Sequence, residues 1–113
     1  MKQAIYEHLY DLENTNIAIH YYTNRGSYFP AHWHPAIELI YILNGTAEIL
    51  VGGVKHTLVP GEFIVIDSNQ IHVSQCALAS MVVDVHVSRD FLESYIEEPV
   101  LPGIDCIFRC RSD

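Results

Sequence analysis

Three turn signals, Asn44-Gly45, Gly52-Gly53 and Pro60-Gly61, follow one another so closely that only short strands fit between them. Such punctuation argues for antiparallel β structure, a sandwich or a barrel. Apolar and β-branched runs fill the intervals: Ile17 to Thr23, Ala36 to Leu43, Ala47 to Val51, Val54 to Val59, Phe63 to Ile66, Ile71 to Cys76 and Met81 to Val87. A tight hairpin is expected at Asn44-Gly45, where a type I′ turn needs positive φ at both central residues, and another at Gly52-Gly53. Ala36 to Leu43 is apolar on both faces, so one side should face the core and the other a helix or a partner subunit. Met81, Val83, Val85 and Val87 share one face of their strand. Ser88 is a suitable N-cap for one short helix over 88–98, with Asp90 in its first turn, Phe91, Leu92, Tyr95 and Ile96 as its apolar stripe and Pro99 as its stop. A final strand is expected over 104–110. The N-terminal arm, 1–15, contains a segment, Ala4 to Leu12, that reads equally as a helical turn or an extended arm.

The chain has 113 residues, half of them hydrophobic, which suits one ordered domain with a real core. No apolar run approaches the roughly 20 residues of a membrane-spanning helix. The first residues, with Glu7, Asp11 and Glu13 close behind Met1, do not resemble a signal peptide, and a cytoplasmic location is expected. Fourteen acidic residues against six Lys and Arg give a formal charge of -8. Phosphate neutralisation needs clustered Lys and Arg, so no nucleic-acid contact is expected from this stretch. The three cysteines, Cys76, Cys106 and Cys110, form no C-x-x-C pair and read as small buried thiols in a reducing compartment.

The chemistry concentrates in Gly26-x5-His32-x-His34-x3-Glu38-x6-Gly45. Alternation along a strand would put His32, His34 and Glu38 on one face, offering two imidazoles and a carboxylate to a divalent metal or a polar ligand. Distance resists this in a straight strand, because His34 and Glu38 would stand ~13 Å apart at ~3.3 Å per residue. Pro35, which cannot join a ladder, marks where a bulge would draw them together. Aromatic side chains near the motif, Tyr22, Tyr28 and Trp33, are candidates to stack on a ligand such as a sugar, although strand aromatics more often pack. Arg25 is a candidate partner for an anionic group. His8, His20 and His56 read as surface or hairpin residues, and His86 lies on a core strand with no assigned role.

That spacing resembles the first motif of the cupin family, and a second segment, Gly61-x5-Asp67-Ser68-Asn69-x2-His72-x3-Cys76, is similar to the second. Glycine and histidine hold in the second motif, whereas Asp67, Asn69 and Cys76 stand where the family has proline, glycine and asparagine. Asn69 suits a glycine position because Asn tolerates positive φ. The resemblance implies an all-β single-domain cupin, a double-stranded β-helix or jelly-roll barrel, over 17–87. It also implies that His32, His34, Glu38 and His72 converge in the barrel mouth, where such positions hold iron, manganese, nickel or zinc. Without metal, the same cluster would hold an organic ligand or water, or serve as a structural network.

A finer resemblance covers most of the chain. The run His32-Trp33-His34-Pro35-Ala36-Ile37-Glu38-Leu39-Ile40-Tyr41-Ile42-Leu43-Asn44-Gly45 looks like the N-terminal domain of AraC-type transcription regulators, as do Val59-Pro60-Gly61-Glu62-Phe63 and Val85-His86-Val87-Ser88-Arg89-Asp90-Phe91-Leu92. This implies a small-molecule sensor, not an enzyme, with a small polar metabolite such as a sugar as effector. It further implies a homodimer, a mobile N-terminal arm, and a separate C-terminal domain that contacts DNA. The remainder after Pro99 carries no basic recognition helix, so that DNA-binding domain is expected to be absent from this chain. A free-standing cupin metalloenzyme, a dioxygenase or sugar isomerase, is the alternative.

Overall fold

The computed structural model describes residues 4–23, 26–95 and 105–109. In chain order the elements are β1 (Ile5–Tyr6), a 3-10 turn (Tyr10–Leu12), β2 (Ile17–Thr23), β3 (Ser27–Trp33), β4 (Ile37–Asn44), β5 (Ala47–Val51), β6 (Val54–Leu58), β7 (Glu62–Ile66), β8 (His72–Cys76), β9 (Met81–Val87), α1 (Arg89–Glu93) and β10 (Asp105–Arg109). They form two five-stranded sheets, ordered β1-β3-β8-β5-β6 and β10-β7-β4-β9-β2. Among the described pairings only β1 with β3 is parallel. The all-β class expected from the sequence, two sheets of short strands with one short helix, is the class observed.

Period-two alternation builds the interior. Ala47, Ile49 and Val51 of β5 point in while Glu48 and Leu50 point out, and Ile64 and Ile66 of β7 meet them with Ile40, Ile42, Leu58 and Val82. Ile42, Ile49, Leu58, Ile64 and Ile66 are wholly buried, each contributing about 1.5–3 kcal/mol relative to exposure. The interior is divided lengthwise. Across β4 and β9 the facing pairs run Ile42 with Val82, Ile40 with Asp84, and Glu38 with His86, from apolar to polar. Across β5 and β8 the matching end carries Val51 with His72. One end of the barrel is therefore greasy and the other bears ionisable groups.

Several expectations need correction. Asn44-Gly45 does not turn a hairpin: β4 and β5 belong to different sheets, and the chain crosses between them there. Gly45 takes φ 79, whereas Asn44 is not among the residues at positive φ, so the turn is not type I′. Gly52-Gly53 does close the β5–β6 hairpin, with φ 55 and 83 and Val51 opposite Val54. Met81, Val83, Val85 and Val87 do share one face, as expected; it is part-buried, and the opposite face, Val82, Asp84 and His86, is the buried one. Leu39 and Tyr41, on the second face of β4, are part-buried and Leu43 is exposed.

Ser88 caps α1, its Oγ accepting from the Phe91 N–H at 3.4 Å. The described helix ends at Glu93, and Ile96 to 98 lie outside the described residues, as does Cys110 of the expected last strand. The arm realises both of its readings, an extended pair at Ile5–Tyr6 and then a 3-10 turn. Cys76 is buried and forms no disulfide among the described residues. Among the described residues no helix is long and apolar enough to cross a membrane.

Candidate metal and ligand site

His32 lies in β3, which ends at Trp33; His34 follows it, and Glu38 is the second residue of β4 in the other sheet. The expectation that these three share one strand face therefore fails at Pro35. The chain leaves the first sheet there and enters the second, so the residues meet across the barrel rather than along a strand. The bend delivers His34 Nε2 to 2.9 Å from Glu38 Oε1. It is pinned by the loop before β8: the Asn69 N–H donates to the His34 carbonyl at 2.8 Å, and Ser68 Oγ donates to the Pro35 carbonyl. Asn69 takes φ 63, the left-handed conformation its type tolerates. Asp67, where the family motif has proline, accepts from the Arg89 guanidinium and from the Ser68 N–H at 2.8 Å.

Three rings are aimed in one manner. Nδ1 of His32 contacts the Pro30 carbonyl at 2.7 Å, Nδ1 of His34 the Ala36 carbonyl at 3.1 Å, and Nδ1 of His72 the Gln70 carbonyl at 2.9 Å. A carbonyl only accepts, so each Nδ1 carries a hydrogen and each Nε2 turns inward, as a lone pair for a metal ion or, on a doubly protonated ring, as a hydrogen-bond donor to Glu38. The ligand atoms of His32, His34, Glu38 and His72 lie within 4.8 Å of one another. His34, Glu38 and His72 are buried, and His32 is part-buried.

Two further residues enter the cluster. His86 Nε2 stands 3.3 Å from Glu38 Oε1, the same oxygen that His72 Nε2 reaches at 3.1 Å. Asp84 hydrogen-bonds Glu38 as well. The sequence signal was available: His86 and Asp84 share the parity opposite to the valines of β9, so one face of that apolar strand had to be polar.

The charges respond to this crowding. Burial pushes the Glu38 carboxyl up, but hydrogen bonds from His34, His72, His86 and Asp84 outweigh it and hold the group well below its usual range. Burial, then the neighbouring Glu38, pushes Asp84 up to about 10, so Asp84 keeps its proton at neutral pH and donates it to the Glu38 carboxylate. For His72 burial favours the neutral ring, yet the Glu38 carboxylate raises it overall. Burial lowers His32.

Imidazoles fixed through Nδ1, joined by a carboxylate, are a donor set suited to Zn, Ni, Mn or Fe. Asp84 Oδ1 adds a buried oxygen with no hydrogen-bond partner. The residues fit a divalent cation, which His32, His34, Glu38 and His72 would hold.

The other candidates scatter. Trp33 packs edge-on against Tyr6 of the arm, ring centres 4.8 Å apart. Tyr22 packs on the core and against Phe29. Tyr28 is exposed, opposite the exposed Gln75. Arg25 lies outside the described residues. The arm supplies a residue not anticipated: Glu7 joins His34 and His86 in a further cluster of ligand atoms within 4.8 Å. A cavity of about 280 Å³ lies beside it, between the arm and α1, lined in part by Tyr6, Leu9, Pro35 and Arg89.

A family model described as a cupin domain matches residues 19–77, more than half of the sequence. The chain belongs to the cupin domain family. This cupin is 28% identical over 82 residues to the uncharacterized HTH-type transcriptional regulator YdeC of Bacillus subtilis (strain 168), a match covering 66% of the chain and 28% of the relative. The cupin thus spans little more than a quarter of that relative. Apo ToxT K231A from Vibrio cholerae superposes with a TM-score of 0.63 at 14% identity, covering 87% of this chain and 43% of ToxT. A putative mannose-6-phosphate isomerase from Ralstonia eutropha superposes with a TM-score of 0.59 at 19% identity, covering 68% of this chain and 79% of that one. These two likenesses are likenesses of fold.

Proposed function

We propose that this cupin is the effector-binding domain of an AraC-type transcription regulator. It senses a small polar metabolite, a sugar or a close chemical relative, and relays occupancy to a DNA-binding domain outside this chain, acting as a homodimer. Support comes from the relative described as an HTH-type regulator and from residue runs that resemble those of AraC-type sensors. The structural observation that carries the reading is the arm on the rim of the polar end. Its two-residue strand β1 pairs with β3, and the Glu7 N–H donates to the Trp33 carbonyl at 2.8 Å. So short a pairing is cheap to undo, and a ligand that binds one arm position better shifts the population toward it. The net charge of -8 leaves DNA contact to another domain.

A divalent ion held by His32, His34, Glu38 and His72 would supply Lewis acidity and open positions for ligand oxygens. That donor set also sustains a second reading, a metal-dependent cupin enzyme such as a dioxygenase or sugar isomerase. Thermal-shift screening of the purified chain against a metabolite library, with and without added iron, manganese, nickel or zinc, separates the two. A sensor is stabilised, by about 2.7 kcal/mol at 100 times the dissociation constant, and returns the compound unchanged. Turnover of the stabilising compound would establish the enzyme instead.

A further inference from the structure

One carboxylate at the polar end comes from outside the barrel. Glu7 follows β1, and its backbone is fixed to Trp33 by the 2.8 Å hydrogen bond. Its Oε1 stands 3.9 Å from His32 Nε2, and its carboxylate joins the ligand atoms of His34 and His86 within 4.8 Å. The contact to His32 is an ion-pair distance, too long for a hydrogen bond. The Glu7 side chain remains 41% exposed, so it rests against the cluster without being built into it. Glu13, another acid of the arm, is committed to His8 at 2.7 Å.

Charge gives that placement a meaning. His32, His34 and His72 with Glu38 would hold a divalent cation whose charge exceeds that of the single carboxylate. The loaded mouth then attracts one more anion, and Glu7 is the chain's own.

We propose that the mouth takes a ligand carboxylate, a sugar acid or a short organic acid, in the place where Glu7 now lies, and that Glu7 competes with it as a tethered internal anion. The signalling role of this exchange rests on the sensing reading above; the exchange itself does not. A ligand that enters expels Glu7, and the arm loses one of its contacts with the rim. Arm position then reports whether an external carboxylate is present.

Titration calorimetry of the purified chain tests this, in metal-free and manganese-loaded form, with galacturonate, acetate and neutral galactose as probes. Galacturonate and galactose differ only in the carboxylate, so galacturonate binds and galactose does not match it. A tether occupying the position four-fifths of the time weakens apparent affinity about fivefold, so Glu7→Gln tightens galacturonate and acetate by about that factor. Glu13→Gln removes the same charge away from the mouth and leaves affinity unchanged. Equal binding of galactose and galacturonate, no binding of either carboxylate by Glu7→Gln, or no tightening in the manganese-loaded form would overturn the proposal. Failure to take up manganese overturns this proposal together with the metal assignment and leaves the sensing reading, which the metabolite screen tests separately. Turnover of galacturonate removes the sensing reading and leaves the exchange standing.

Discussion

His86 Nε2 lies 3.3 Å from Glu38 Oε1, across a directly facing pair of β9 and β4. The contact makes His86 one of the donors that keep Glu38 ionised within the barrel. Substituting a non-donor of similar size, His86→Leu, removes a charge-assisted hydrogen bond worth about 1.5–3 kcal/mol. Glu38 is held below its unfolded value, so its contribution is present above roughly pH 4.3 and is lost as pH falls toward the folded value. The variant is therefore less stable than the parent at pH 7, and their urea midpoints converge as pH drops below 4.

Asp84 behaves oppositely. Its carboxyl is raised to about 10, so the folded chain holds a proton that the unfolded chain releases above roughly pH 4. Stability from this group is complete below that pH and declines as pH rises toward 10. Asp84→Asn cannot ionise yet still donates to Glu38. It should stabilise the metal-free protein at pH 8 by more than about 1 kcal/mol, since a tenfold change in proton affinity is worth about 1.4 kcal/mol. The gain should vanish near pH 4, and chemical denaturation at the two pH values measures it.

Metal analysis addresses the donor set directly. The purified chain, after exposure to zinc or manganese and desalting, should carry about one ion. Loss of an outer hydrogen-bond partner already costs about 10–100-fold in metal affinity. His34→Ala or His72→Ala, which remove donors themselves, should therefore fall below that range in a competition with a chelator. If the parent and His32→Ala both emerge without metal, the metal assignment is wrong.

Gly45 tests the crossing between the sheets. A Cβ there would meet Ser80 Cα at 2.7 Å and Ser80 Cβ at 2.8 Å, on a backbone with φ +79. Strain and overlap together should cost Gly45→Ala about 2 kcal/mol or more. Gly52→Ala, with nothing within 4 Å of the added carbon, meets the backbone strain alone. Thermal melts of the two variants should differ by several degrees.

Much of this arrangement could be read from residue order, and the failures have physical causes. Short strands and their turns were legible because alternation and glycine report local backbone geometry. Ile17–Thr23, Ala47–Val51 and Met81–Val87 were placed to the residue. Sheet membership was not legible: Asn44-Gly45 looks like a hairpin because the same dihedral preferences serve a turn within a sheet and a crossing between two. Pro35 signalled an irregularity, but not that the chain would change sheets. The four motif residues come together as the family resemblance implied. His86 and Asp84 occupy the face alternate to the valines, which announces two polar groups on a core strand but not that both would meet Glu38. Glu7 carried no local signal, since its position depends on the parallel pairing of β1 with β3.

Each of the three Nδ1 tethers binds a carbonyl only two residues away from its own histidine. Aim is therefore encoded in three separate scraps of main chain, none relying on another ring for support. Such a centre is modular: a single imidazole can be exchanged, by mutation or over generations, while the others keep their bearing. A barrel organised this way can change its chemistry piecemeal without first dismantling its scaffold.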